Sequence, residues 1–250
     1  MEKNNKSDKK TKIEKKNGRF FVFEGIDGCG KSTQTKFLVE YFTKKGYKVE
    51  KIDFPQHGER SSTLVDDYLT GKYGTAEEVG PYIASIFFAC DRYDASFKIK
   101  KWLSDGKIVI SDRYLVSNLG HQGGKMMKNK KEWKKYVNWL YNLEYFLFKI
   151  PKPNYTFILK TSPEFSLKLA HNITDKDKQN RRKSYLGSSK KQDIHEKDRS
   201  HLANALDSYL MAAKTFPKDF KVIECLQGGK LMSPEIINQK IIKIVEKILR

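Results

Sequence analysis

The sequence predicts a three-layer α/β domain, in which helices cover both faces of a five-stranded parallel sheet and ligands sit at the carboxyl ends of the strands. Three observations carry this. From Arg19 onward, short apolar runs alternate with helical stretches. Residues Gly25-Ile26-Asp27-Gly28-Cys29-Gly30-Lys31-Ser32 spell a complete G-x-x-x-x-G-K-[ST] loop between one such run and one such stretch. The chain has 250 residues and 38% hydrophobic content, enough for one full core.

Residues 1–18 are polar and aperiodic, with seven lysines against three acids, and are expected to form a disordered lysine-rich tail. The domain proper then spans 19–250. Its expected strands are Phe20–Phe23, Val49–Phe54, Ile108–Ser111, Tyr155–Leu159 and Lys221–Cys225, each a short run of strand formers. The expected helices are Lys31–Lys45, Ser61–Thr70, Pro81–Ser104, Lys131–Phe148, Pro163–His171, Ile194–Lys214 and Pro234–Leu249. The last has Ser233 as N-cap and Pro234 at the first helical position, followed by a stripe of Ile237, Ile241, Ile244, Val245 and Ile248. One stretch breaks the rhythm. Residues 173–192 are basic and poor in apolar side chains, which in a phosphate-handling domain predicts a mobile lid closing over nucleotides.

The glycine loop defines the chemistry. Arg19 to Glu24 form the strand before it, and Phe37, Leu38, Tyr41 and Phe42 recur at helical spacing after it. Strand, loop and helix together aim backbone N–H groups and a helix N-terminus at a phosphate chain. Gly25, Ile26, Asp27, Gly28, Cys29 and Gly30 would wrap the phosphates, with Lys31, Ser32 and Thr33 at the terminal phosphates and the metal. A nucleoside triphosphate is the expected ligand. Lys107 to Ser111 is an apolar strand that ends in Asp112, a carboxylate that either helps hold Mg²⁺ through its water shell, with Ser32, or is an ordinary helix cap.

Bulk properties exclude several classes. No apolar run approaches the roughly 18 residues of a membrane span. The charged N-terminal stretch lacks the apolar core of a secretory signal. Three widely spaced cysteines, Cys29, Cys90 and Cys225, argue for a reducing, cytoplasmic setting without disulfides or zinc. The net charge of +19 is spread over nearly every segment, so it reads as a cationic surface that attracts nucleotides rather than a nucleic-acid site.

Six segments in order carry a family resemblance. Phe23 to Gln34, Asp53-Phe54-Pro55, Phe87-Phe88-Ala89-Cys90-Asp91-Arg92, Asp112-Arg113-Tyr114 with Ser117-Asn118, Pro151-Lys152-Pro153-Asn154 and Asp193-Ile194-His195-Glu196 together resemble the thymidylate kinases. The resemblance implies a Mg²⁺-dependent homodimer that moves a phosphoryl group from ATP to dTMP, giving dTDP. It implies further that Asp27 meets the acceptor's sugar hydroxyl or organises Mg²⁺ and water, and that Arg113 grips the monophosphate. Phe54 and Pro55 would line the acceptor site, and Phe88 would stack on the base. Arg92 and Asn118 would supply directional hydrogen bonds, with Ser117 beside them. An arginine of the lid would stabilise charge in flight, and Arg181 and Arg182 both qualify.

The chain departs from the family in three places. Gly28-Cys29 stand where some members have an arginine, which moves the catalytic arginine to the lid. Cys29 is a small residue where bulk is forbidden, or a thiol made oxidisable by a helix N-terminus. Gln56-His57-Gly58-Glu59-Arg60 follow Pro55 where members often have a nearer arginine, so Arg60 is expected to take over part of the acceptor phosphate. His121 and His195 replace tyrosines that in some relatives crowd the sugar edge and base. Thymine exceeds uracil by one methyl, worth only about 1–3 kcal/mol, so dUMP is a weaker second acceptor. The rival from another class is an ATP-dependent nucleic-acid-binding protein, and a kinase for a different monophosphate is the nearer alternative.

Overall fold

The computed structural model describes residues 18–171 and 199–249. Five strands form one parallel sheet: β1 (Arg19–Glu24), β2 (Val49–Asp53), β3 (Ile108–Asp112), β4 (Tyr155–Lys160) and β5 (Phe220–Glu224). Their order is β2-β3-β1-β4-β5. Parallel connections are right-handed, so the sense of each crossover fixes where its helix lies. The step from β1 to β2 runs one way, placing α1 (Lys31–Lys44) on one face. Every later step runs the other way. It places α3 (Ala76–Ser104), α4 (Val116–Gly124), α5 (Lys130–Tyr141), α6 (Pro163–His171) and α7 (Arg199–Thr215) on the opposite face. The C-terminal α8 (Pro234–Leu249) returns to α1, joined by Gln34 Nε2 to Pro234 O at 2.9 Å and Tyr41 OH to Glu246 Oε1 at 2.7 Å. The three expected layers follow. A short α2 (Thr63–Leu69), entered by a 3₁₀ turn at Arg60–Ser62, packs on α3.

Strand β1 is covered on both faces, so Phe20, Phe21, Val22 and Phe23 are buried without alternation. Its register pairs Phe23 with Asp112 of β3 and with Phe157 of β4. The chain changes its direction of growth at β1, and the loops after β1 and β3 flank the crevice that this opens.

Four boundaries differ from expectation, each for a local reason. Helix α3 begins at Ala76 rather than Pro81, because Thr75 and Glu78 form a reciprocal capping box at 3.2 and 2.7 Å. Gly80 then breaks it at φ 73°, since the residue before a proline avoids the helical region. The helix expected over 131–148 ends at Tyr141 and passes into a π-helical turn, Asn142–Leu147. Helix α4 was not anticipated, because three glycines in nine residues lower its propensity. It forms because those glycines admit α7: a Cβ on Gly120 would lie 2.2 Å from the Tyr209 ring. A two-stranded hairpin, β6 (Leu226–Gln227) and β7 (Lys230–Leu231), turns through Gly228-Gly229, a dipeptide signal the strand expectations passed over. Residues 1–17 of the expected tail, the expected lid, and the first turn of the helix expected from Ile194 lie outside the described residues, while Gly18 donates its N–H to Leu103 O at 2.9 Å. No helix among the described residues is long and apolar enough to cross a membrane.

Candidate active site

The phosphate loop joins β1 to α1. Gly30 caps α1 from the left-handed region, φ 93° and ψ 15°, a conformation that glycine takes without a Cβ penalty. Gly25 serves a different need: a Cβ there would meet both Cys29 Sγ and Leu159 O at 2.8 Å. Lys31 is 6% exposed, and its Nζ donates to Gly25 O at 3.0 Å and Ile26 O at 2.9 Å. The ammonium is therefore held inside the curl of its own loop. Ser32 and Thr33 stand half-buried in the first turn of α1, and that turn carries no acidic residue to compete for an anion. Cys29 is buried, and burial pushes its thiol pKa up. That is the opposite of what a reactive thiolate needs and favours Cys29 as a small residue where bulk is forbidden.

Opposite the loop stands Arg113, directly after β3. It adopts φ 70°, unusual for a residue with a side chain. Its Nη2 pairs with Asp27 of the phosphate loop. Its Nη1 donates to Ser117 Oγ at 3.4 Å and faces His121 Nε2 at 3.3 Å. A guanidinium can only donate, so His121 Nε2 accepts, and its Nδ1–H is left to donate to His201 Nε2 at 3.3 Å. Burial disfavours the Arg113 charge, but Asp27, Tyr209, Glu24 and Asp112 outweigh it and raise its pKa. Asp112 ends β3 half-buried beside Phe23, and Phe54 N–H donates to its carbonyl at 3.0 Å.

A third cluster lies on α3. Phe88 is half-buried at the edge of a small apolar group with Val65, Tyr68 and Ala84, its ring edge-to-face with Tyr68 at 6.2 Å. Asn118 of α4 donates to Ser85 O at 3.2 Å, which ties it to α3 one turn from Phe88. Arg92 corrects the sequence expectation. It is 1% exposed, and its Nε and Nη2 donate to Glu144 at 2.6 and 2.7 Å. The segment after the cis Phe54–Pro55 bond is organised by Asp91, which accepts from Gln56 N at 2.9 Å and Ser61 Oγ at 2.8 Å. Within that segment Arg60 is exposed, and His57 pairs with Asp66 at 2.5 Å.

The structure thus brings Asp27, Lys31, Arg113, Ser117 and His121 together, and gathers Phe88, Arg92 and Asn118 beside α3. Arg181, Arg182 and His195 lie outside the described residues. Sequence reasoning missed Glu24, Asp91, Glu144 and His201. The first three share one signal, an acid inside an otherwise apolar or helical core segment, where only a dedicated partner makes it tolerable.

Comparison with known proteins agrees with this geometry. The thymidylate kinase family model matches residues 23–227. A probable thymidylate kinase of Thermococcus kodakarensis is 32% identical over 238 residues, covering 92% of this chain and 98% of that protein. A thymidylate kinase of a Thermoanaerobacter species is 30% identical over 234 residues, 93% and 99% of the two chains. Among solved structures, the Candida albicans thymidylate kinase superposes with a TM-score of 0.66 at 22% identity, over 92% of each chain. The match spans the phosphate loop, the Arg113 turn and the α3 cluster alike, and the chain belongs to the thymidylate kinase family.

Proposed function

We propose that this chain transfers the γ-phosphoryl group of ATP to the 5′-phosphate of dTMP by holding the two polyanions on either side of the Asp27–Arg113 pair. The observation that carries this is the pair itself, which joins the donor loop to an arginine from a different strand end. Phosphoryl transfer asks a protein mainly for positioning and charge neutralisation. Lys31 and the loop N–H groups bind the ATP phosphates. Arg113 grips the acceptor phosphate through its planar fork, oriented by Asp27 and Ser117. Asp27 is then the carboxylate nearest the acceptor sugar. Arg181 or Arg182 would bring a further guanidinium from the segment expected to form the lid.

Ser32 and Asp112 offer hard oxygen donors that suit Mg²⁺, which supplies charge neutralisation across the phosphates. Among the described residues no three His, Cys, Asp or Glu side chains converge as a metal cage. Such a two-residue donor set fits a cation that keeps water and phosphate ligands. On the acceptor side, Phe88 stacks on thymine, a contact worth roughly 1–3 kcal/mol. Asn118 and Arg92 read its edge, with Phe54 and Pro55 at the phosphate end and Arg60 at the rim. The missing methyl makes dUMP the weaker acceptor, by about 1–3 kcal/mol.

A homodimer is the assembly we assign, through the outward face of α3 and the π turn. Ile83, Tyr93 and Phe97 recur there at helical spacing, next to Phe146 and Leu147, which are 77% and 67% exposed. The free cysteines fit a reducing, cytoplasmic setting.

The test is ADP release with ATP, Mg²⁺ and each nucleoside monophosphate in turn, beside a Lys31→Ala control. Strong turnover with dTMP, reduced by about 10²-fold or more in the variant, is expected. No turnover with any monophosphate, from protein that still binds ATP, would sink the proposal.

A further inference from the structure

Glu24 is the last residue of β1 and is fully buried. A carboxylate there is costly unless its lone pairs are filled. Burial raises its pKa, opposed by Arg113, Ser117, the Tyr114 N–H and Lys31. Three donors fill it. Tyr114 N–H reaches Oε1 at 2.8 Å, while Ser117 Oγ at 2.7 Å and Tyr209 OH at 3.2 Å reach Oε2.

These donors come from separate parts of the fold that converge on Arg113. Tyr114 is its chain neighbour, Ser117 opens α4, and Tyr209 belongs to α7. The left-handed backbone of Arg113 is strained and persists only if its surroundings over-determine it. Its own N–H donates to Phe23 O at 2.9 Å, Ser111 Oγ donates to its carbonyl at 2.6 Å, and the next N–H is the one held by Glu24. Ser117 Oγ then works twice, donating to Glu24 and accepting from Arg113 Nη1. The phosphate loop begins with the residue after Glu24, so one carboxylate fixes the distance between that loop and the Arg113 guanidinium.

We infer that Glu24 is a positioning residue for phosphoryl transfer: it locks the Arg113 turn, and through Ser117 the guanidinium itself, in register with the phosphate loop. This rests on the reading of Arg113 as the grip on the acceptor phosphate. Glu24 touches neither substrate in this role and acts only through Arg113.

The test is a double-mutant cycle of Glu24→Gln and Arg113→Lys on the full chain, reading kcat, the KM for each substrate and the melting temperature. Glutamine keeps the size and one acceptor but replaces Oε2 by a donor. Glu24→Gln is expected to lower kcat about 10- to 100-fold with the KM for ATP unchanged, the penalty of a misplaced catalytic group. The double variant should then be no slower than Arg113→Lys alone, because both changes remove the same placement. Wild-type turnover in Glu24→Gln beside a slow Arg113→Lys overturns the inference and spares the Arg113 reading. Wild-type turnover in Arg113→Lys overturns that reading instead. Additive losses, or a KM for ATP that worsens with stability, show a merely structural carboxylate and also overturn the inference. If Glu24→Gln does not fold, Ser117→Ala cuts the same relay and leaves the carboxylate its Tyr114 and Tyr209 donors. Unchanged kcat in that variant is the overturning result.

Discussion

Arg92 of α3 and Glu144 of the π turn meet through two parallel hydrogen bonds, with both side chains at 2% exposure or less. The π turn gives this contact its geometry, because widening the helix after Tyr141 turns a carboxylate inward from an otherwise apolar stretch. The pair also fixes the orientation of the guanidinium.

Breaking that pair from either side leaves a buried charge, which costs about 3–5 kcal/mol. Glu144→Gln should lower stability by that order in urea melts and raise the KM for dTMP more than that for ATP. Arg92→Met has a different signature. Burial already raises the Glu144 carboxyl above 4.5 against the pull of the guanidinium, and without Arg92 the rise is larger. A carboxyl raised in the folded state contributes stability below its unfolded pKa and loses it as pH climbs through the folded value. Arg92→Met should therefore lose stability relative to the wild type as pH rises from acid to neutral. Parallel stability profiles for the two proteins would dismiss this account.

Gly120 sets how closely α4 approaches α7. A Cβ at that position would lie 2.2 Å from two carbons of the Tyr209 ring, which is fully buried and cannot swing clear. Gly120→Ala should destabilise the fold by roughly 1–3 kcal/mol, the usual cost of overpacking a core. It should also lower kcat, because moving Tyr209 disturbs the carboxylate of Glu24. A variant that melts and turns over like the wild type would show that α7 yields without cost.

How much of this was legible in the sequence follows from what each feature depends on. The five strands of the parallel sheet, and the helices over 31–45 and 234–249, depend on local periodicity and caps, and were read to within a residue at either end. Lys31, Asp27 and Arg113 could be singled out because each stands in a contiguous motif, and the structure shows the Asp27–Arg113 contact that joins two of them. Helix α4 was not legible, since its glycines argue against a helix until the Tyr209 ring they admit is known. Glu24, Asp91 and Glu144 were missed for the same reason: each is meaningful only through partners 30 to 185 residues away. The pairing of Arg92 with Glu144 is likewise a tertiary fact.

Lys125, at the end of α4, offers a titration test of the packing around α4. Burial lowers its pKa to about 8, opposed by Glu77, while its Nζ donates to Ala76 O at 3.1 Å. A lysine depressed in the folded state binds fewer protons than in the unfolded state between the two pKa values. Stability contributed at this site should therefore rise as pH climbs from about 8 towards 10.5. In protein with ¹³C-dimethylated lysines, one NMR signal should titrate near pH 8 and vanish in Lys125→Met. If Lys125→Met removes no such signal, the ammonium is better solvated than its contacts imply.

The outward face of α3 carries the last prediction. Tyr93 packs edge-to-face on Phe97 at 5.4 Å and against Phe148 at 5.0 Å, so the apolar stripe of α3 continues onto the π turn. Phe97 is 60% exposed, and Phe146 and Leu147 more so, which is a poor use of large apolar side chains on a free surface. If this face pairs with a second copy, Phe97 and Phe146 stand where interface aromatics contribute most, and truncating one costs about 2 kcal/mol or more. Phe97→Asp and Phe146→Asp should each weaken self-association by roughly 30-fold or more. Light scattering after gel filtration would then read one chain mass for the variants and two for the wild type. Because both side chains lie outside the core, the variants should keep the wild-type melting behaviour when both proteins are dilute enough to be monomers. A wild type that is monomeric at every concentration would remove the dimer and leave the stripe open to another partner. The same substitutions also bear on the site, since Arg92 lies beside Tyr93 and Glu144 lies two residues before Phe146. Loss of the dimer should therefore raise the KM for dTMP while leaving that for ATP in place.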